Sequence, residues 1–315
     1  MLWLTATVVN AQFLPKAVSL NSLPGSPSPG QTFTVTASTP LFDSATSFFQ
    51  WTINGVFKKE FSSTGKNSIN LTAGPAGSTI NVSVIVSKID GGKDSDSIAI
   101  HVSDLNLIWF ADTYKPKWYK GKSLPVQNSV VNVVAVPTII LDGSRIDPED
   151  LIYRWGLDDQ KNLLTGMGKQ VFPVKISRYT KNPIQVKLTV EDIDKRIRKE
   201  GFIFLNPLEP LIVIYPFSPL GGVESRNGSG TLISAKRGLL DFVAEPFFFP
   251  VSSRRDLSYS WRVENTAVSG VPLNQNFLTV DTVKRTAGAI PISVTIKTSG
   301  DPAISISKLI TLFLQ

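Results

Sequence analysis

The sequence predicts an all-β protein made of three tandem two-sheet sandwiches joined by short linkers. Three observations carry that reading. Trp51, Trp155 and Trp261 each follow an aromatic residue two places earlier: Phe49, Tyr153 and Tyr259. An alternating apolar run then begins 29 residues after each tryptophan, at Ile80, Ile184 and Ile290. The 21 prolines and 22 glycines are spread as turn signals between short runs, which suits strands better than long helices. The copies recur at periods of 104 and 106 residues, so the 315-residue chain divides into three repeats. Each repeat is large enough to bury a core of its own.

In chain order, residues 1–11 read as the tail of a secretory signal. The segment is apolar and ends in Val9-Asn10-Ala11, with small residues where signal peptidase needs them. Residues 12–104 form the first repeat. Ser22 to Gly30 is a turn-rich connection, and Phe33, Val35 and Ala37 alternate as a half-buried strand does. Phe49 and Trp51 then share one face of a strand that turns at Asn54-Gly55. Ile80, Val82, Val84 and Val86 make the central strand, and Asp90-Gly91-Gly92 turns it into Ile98, Ile100 and Val102.

Residues 105–207 repeat this order. Val131, Val133 and Ala135 match Phe33, Val35 and Ala37, and Gly168-Lys169 follows Trp155 much as Gly65-Lys66 follows Trp51. Asn206-Pro207-Leu208-Glu209-Pro210 is the clearest linker. Residues 208–315 form the third repeat, with Leu240, Phe242 and Ala244, then Trp261, Phe277, Val280, Ile290–Ile296 and a closing run Leu309–Leu314. No segment keeps a helical period with caps at both ends, and no apolar run reaches the ~18 residues needed to span a bilayer.

An aromatic-x-Trp strand, followed by an Ile-x-Val-x-Val-x-Val strand and an Asp/Gly turn, resembles immunoglobulin-like and polycystic-kidney-disease (PKD) type domains. The stretch Leu105–Pro125 also resembles multi-Ig envelope proteins of candidate-phylum, Parcubacteria-like bacteria. The resemblance implies an extracytoplasmic, secreted or envelope-associated, non-catalytic role and supplies no catalytic residues. The chain has no cysteine, so the bridge between sheets that animal immunoglobulin domains usually carry is missing. No thiol nucleophile or thiolate metal site is available either.

Chemistry is sparse. The only histidine, His101, sits in a predicted strand, and no Gly-x-Ser-x-Gly elbow accompanies it. No phosphate loop, dinucleotide fingerprint or zinc spacing occurs. Asp158-Asp159 and Asp192/Asp194 are the carboxylate pairs that glycoside hydrolysis would need, but they fall at predicted turns. Asp90, Asp94, Asp96 and Asp104 are candidates for weak calcium binding, with a solvated hairpin tip as the alternative. No catalytic, metal or cofactor-binding residue is therefore assigned.

The net charge of +7 is unevenly placed: 0 on residues 1–104, +5 on 105–207 and +2 on 208–315. Within the middle repeat, Tyr114, Lys115, Lys117, Trp118, Tyr119 and Lys120 mix aromatics with lysines, and Arg196 and Arg198 lie on its last hairpin. These eight residues are the candidate ligand contacts, since rings stack on sugars while cations meet negative charge. The alternative is a lysine-guarded edge strand.

Two functional expectations follow. The first is a non-catalytic surface scaffold or adhesion protein whose partner is a protein or a cell-envelope polymer. The second is binding of a glycan or anionic wall polymer through the middle repeat. Nucleic acid is disfavoured by export. An accessory region of an enzyme is a third class, disfavoured because no catalytic domain accompanies the repeats in this sequence.

Overall fold

The computed structural model describes residues 17–223, 232–269, 275–300 and 304–314. The expected signal tail at 1–11 lies outside the described residues. The fold is all-β. Among the described residues the helical turns are the short 3-10 turns Lys59–Phe61, Pro148–Asp150 and Arg254–Asp256. No helix there is long and apolar enough to cross a membrane.

The chain divides into two compact units. One holds the first sandwich, to Asn106, with Val136–Ile152 and Val190–Glu200. The other holds Leu107–Ala135, Tyr153–Thr189 and the chain from Gly201.

In the first sandwich one sheet runs Ser19–Leu23, Thr32–Ser38, Ser68–Thr72. The facing sheet runs Val56–Phe57, Phe48–Ile53, Thr79–Ser87, Lys93–His101, with Ser63–Thr64 also paired to Phe48–Ile53. Phe33, Val35, Phe49, Trp51, Val82, Val84 and Val86 are buried together, so each alternating run turns its apolar face inward. In the middle sandwich the sheet orders are Val171–Lys175, Val130–Thr138, Asp104–Ala111 and Gln160–Met167, Ile152–Leu157, Ile184–Glu191, Arg198–Leu205. In the third, Leu211–Ser218 and Leu239–Phe247 lie between Gly222–Val223 and Phe277–Asp281. Facing them are Leu232–Ala235, Ser305–Leu314, Gly288–Thr298, Leu257–Val263 and Thr266–Ala267.

The repeat reaches down to single hydrogen bonds. Each indole is buried on one sheet and donates its N–H to a carbonyl just before a strand of the other sheet. The acceptors are Lys66 for Trp51 (3.0 Å), Lys169 for Trp155 (2.7 Å) and Gln275 for Trp261 (3.4 Å). The next residue's carbonyl, at Asn67, Gln170 and Asn276, accepts from Ala37, Ala135 and Ala244 at 2.8, 2.9 and 2.7 Å. Gly65 and Gly168, at φ 75° and 68°, make the left-handed turn that presents these carbonyls in the first two copies. A chain without cysteine thus ties sheet to sheet through tryptophan.

Three residues after each tryptophan the chain turns through left-handed backbone, at Asn54, Asp158 and Glu264, with φ of 48°, 47° and 51°. Their N–H groups donate to the carbonyls of Asn81, Gln185 and Pro291 at 2.8, 2.8 and 2.9 Å. In the first two copies the side chain returns the bond. The Oδ1 atoms of Asn54 and Asp158 accept from Asn81 and Gln185 at 2.9 Å. Pro291 has no N–H to give, and there the turn residue is a glutamate, paired with Arg285 instead (2.8 Å). Asp158 is therefore a turn residue, as its sequence context indicates.

Asn54→Ala and Asp158→Ala are each expected to cost about 1–2 kcal/mol, because a bond to backbone is lost and alanine resists positive φ. Glu264→Ala loses only an exposed ion pair besides, so its cost is the smallest of the three. Urea midpoints of the three variants measure that order.

Candidate functional site

The aromatic–lysine stretch is not an edge strand, which corrects the guarded-edge alternative. Pro116, Gly121 and Pro125 interrupt it, and the chain from Asp112 to Ser129 runs irregularly between the strands Asp104–Ala111 and Val130–Thr138. It is tied to the third sandwich at both ends. Tyr114 exchanges backbone bonds with Phe249 and Phe248 (2.8 and 2.6 Å), and Leu208 donates to Pro125 (2.9 Å). Along this stretch Tyr119, Leu124 and Val126 pack on Tyr215, Val243, Phe247 and Phe248.

That contact explains why residues 242–247 of the strand Leu239–Phe247 are buried on both faces. Phe242 and Ala244 point into the sandwich, while Val243, Glu245 and Phe247 alternate on the outer face. Phe248 then adopts φ 61°, rare for a bulky side chain. Phe247 and Phe248 consequently join the outer cluster, while Phe249 is fully buried in the core.

The eight expected contact residues separate into three groups. Lys115 and Tyr119 serve the fold: the Lys115 ammonium donates to the carbonyls of Tyr119 (3.3 Å) and Gly121 (2.7 Å), and the Tyr119 ring packs edge-on against Phe247 and Phe248 at 5.4 and 5.9 Å. A Cβ at Gly121 would overlap the hydroxyl end of the Tyr119 ring, so Gly121→Ala is expected to loosen this clasp. The check is faster amide exchange at Tyr114 and Phe248.

Arg196 and Arg198 form the second group and belong to the other compact unit. Arg196 meets Asp142 at 2.7 Å, Asp192 at 3.5 Å and Asp194 at 3.7 Å, and its hydrogen bond to Asp142 raises its pKa above the usual guanidinium value. Arg198 pairs with Glu200 through Nε (2.9 Å) and with Glu191 (3.4 Å). Asp192 also accepts from the Ile197 N–H at 2.8 Å, which closes the hairpin. These charges are engaged with one another.

Tyr114, Lys117 and Trp118 remain, with Lys120 exposed nearby. Trp118 stands edge-on to Tyr215 and Phe247 at 5.9 and 5.8 Å, which fixes the indole while leaving it 41% exposed. With Pro116 these three line one side of a groove of about 520 Å³; Glu245, Ser252, Ser253, Arg254 and Arg255 line the other.

Sequence reasoning missed that second side. The 3-10 turn Arg254–Asp256 precedes the Trp261 strand and is capped by Ser253 Oγ, which accepts from the Arg255 N–H (3.2 Å). The matching turn in the middle sandwich, Pro148–Asp150, is acidic. Glu245 is only 6% exposed, and no other described residue gives its carboxylate a hydrogen bond or an ion pair, so its oxygens face the groove. Burial holds its pKa above the usual carboxylate value, with the charge of Arg254 acting in the opposite sense. Tyr114 and Tyr215 are raised too, first by burial and then by the charge of Glu245. The Tyr259 hydroxyl, also within the field of Glu245, is buried without a partner among the described residues.

A carboxyl whose folded pKa is raised stabilises most below its unfolded pKa and loses that contribution as pH rises through the folded value. Glu245→Gln is therefore expected to raise stability at neutral pH and to flatten its decline between acid and neutral pH. Urea unfolding at several pH values reads both.

The calcium candidates are given other work. Asp96 Oδ2 accepts from the Leu20 N–H (2.7 Å), Asp94 pairs with Lys88 (2.7 Å), Asp90 caps Gly92 and Asp104 caps Leu105 (2.9 Å each). Among the described residues no three acidic or histidine side chains converge as metal ligands. His101 Nδ1 lies 2.9 Å from the Thr79 hydroxyl across the strand pair.

These features define a tandem immunoglobulin-like protein with an open, cation-rimmed groove beside its third sandwich. No family model matches the chain, and no curated protein matches it. Among solved structures, the three N-terminal domains of the bacteriophage RB49 Highly Immunogenic Outer Capsid protein (Hoc) are 11% identical, with 95% of this chain and 98% of that one covered at a TM-score of 0.30. The central fibronectin-III array of RIM-binding protein is 13% identical, covering 94% and 96%, also at 0.30. Fibronectin(III)-like modules of Clostridium thermocellum CbhA are 12% identical, covering 60% and 94% at 0.29.

Proposed function

We propose that the chain is a non-catalytic scaffold or adhesion protein acting outside the cytoplasm, built from immunoglobulin-like modules at 12–104, 105–207 and 208–315. The observation that supports this reading is where the reactive side chains go. Asp158 and Asp192 close hairpins, and His101 meets Thr79 across a strand pair. Groups held this way fix backbone rather than poise a nucleophile or a general acid.

Incubation of the full chain with a panel of wall polysaccharides tests the reading. Retention of polymer without new reducing ends is the expected result. Release of reducing ends in step with protein concentration would overturn it. Cell fractionation checks the compartment: recovery with cytosolic markers counts against the extracytoplasmic assignment.

A further inference from the structure

We propose that the groove lined by Tyr114, Lys117, Trp118, Glu245, Arg254 and Arg255 binds a segment of acidic polysaccharide. This rests on the non-catalytic reading only in that the polymer is held and not cut. The key residue is Glu245. A carboxyl that is 6% exposed and bonded by no described residue is costly, and this one opens onto the groove. The donors it takes are those that enter the groove, water or a ligand.

Beside it stands an indole 41% exposed and held at a fixed angle by Tyr215 and Phe247. Such a ring offers an apolar face for the C–H face of a sugar. Around both lie Lys117, Arg254 and Arg255, all exposed. A volume of about 520 Å³ is within the range of pockets that take small ligands, ~300–1,000 Å³.

Each simpler ligand leaves part of this set unused. A cation would pair with Glu245 and be repelled by three positive groups. A neutral glycan would satisfy Glu245 and Trp118 and leave those cations without partners. A bare polyanion, lacking hydroxyls, would meet Glu245 as a like charge. An acidic sugar uses all three features: hydroxyls donate to Glu245, the ring lies on Trp118, and its carboxylate or phosphate reaches Lys117 and Arg255.

The test is affinity electrophoresis of the full chain in gels carrying polygalacturonate, a teichoic acid, dextran or single-stranded DNA. Retardation by an acidic glycan and not by dextran is expected, and the two acidic gels distinguish carboxylate from phosphate. Trp118→Ala and Glu245→Gln should each weaken binding about tenfold, as removal of a central contact does. The same binding should weaken as salt rises from roughly 50 to 500 mM, as screening requires.

Thermal unfolding identifies any variant that fails to fold, and Lys117→Ala with Arg255→Ala then tests the rim without touching the packed face. Retardation by DNA equal to that by the glycans, or binding untouched by these changes, would overturn the site in favour of general charge attraction. No retardation in any gel would overturn it as well. Shortening of the polymer would instead overturn the non-catalytic reading while leaving the site in place.

Discussion

Trp155→Ala should remove about 3–5 kcal/mol of stability from the unit that contains it, the usual cost of truncating a fully buried large aromatic. Trp155 has no exposed surface, stacks on Phe172 at 5.4 Å and donates to the Lys169 carbonyl at 2.7 Å. Alanine leaves a cavity between the sheets and deprives a carbonyl of its donor. Phenylalanine fills most of the volume and still loses the bond, so it separates the two effects. The indole bonds measure 2.7 Å at Trp155, 3.0 Å at Trp51 and 3.4 Å at Trp261. The penalty for phenylalanine should fall in that order. Urea titrations of the three variants read it directly, and equal losses would mean that packing alone matters at these sites.

Those bonds also show why so much of the fold was legible in the sequence. Tryptophan and acceptor lie within one repeat, 14 or 15 residues apart, and the cross-strand partners Val84 and Val294 each lie 33 residues after their tryptophan. When long contacts recur at nearly the same offset, each copy of the repeat prints them again. The turn aspartates were readable for the same reason. Asp158 occupies the place of Asn54, and a residue that turns the chain in one copy turns it in the next.

The groove had no such help. It joins residues 114–118 to residues 245–255, a contact made once. Composition located half of it, since Trp118 stood out beside the lysines. It could not distinguish Lys115, which braces the carbonyls of Tyr119 and Gly121, from Lys117 two places on, which faces solvent. Arg196 and Arg198 counted toward a positive surface, whereas the structure pairs them with Asp142, Asp192, Asp194, Glu191 and Glu200. A readable signal did exist in residues 242–249. Phenylalanine, valine and alanine fill the run without polar alternation, as in a strand covered on both faces, and Glu245-Pro246 interrupts it. An acid inside a doubly covered strand marks a place where the covering is incomplete.

Gly156→Ala should cost about 1–3 kcal/mol, a large effect for one added methyl group. The glycine directly follows Trp155, where the other copies carry Thr52 and Arg262. There the hairpins continue into two-residue strands, Val56–Phe57 and Thr266–Ala267. In the middle sandwich the hairpin continues into the eight-residue strand Gln160–Met167. Its first carbonyl crosses over position 156, and a Cβ there would lie 2.5 Å from the Gln160 oxygen. That oxygen is backbone and cannot swing away as a side chain would. A lone glycine inside a strand often marks such an approach of another segment. The alanine variant must push the hairpin outward or shift Trp155, and either change loosens the packing on Phe172. Thr52→Ala, at the matching place in the first sandwich, should stay within about 0.5 kcal/mol of the parent. Urea midpoints of the two variants decide the matter, and a Gly156→Ala protein as stable as the Thr52→Ala protein would show that the hairpin yields without cost.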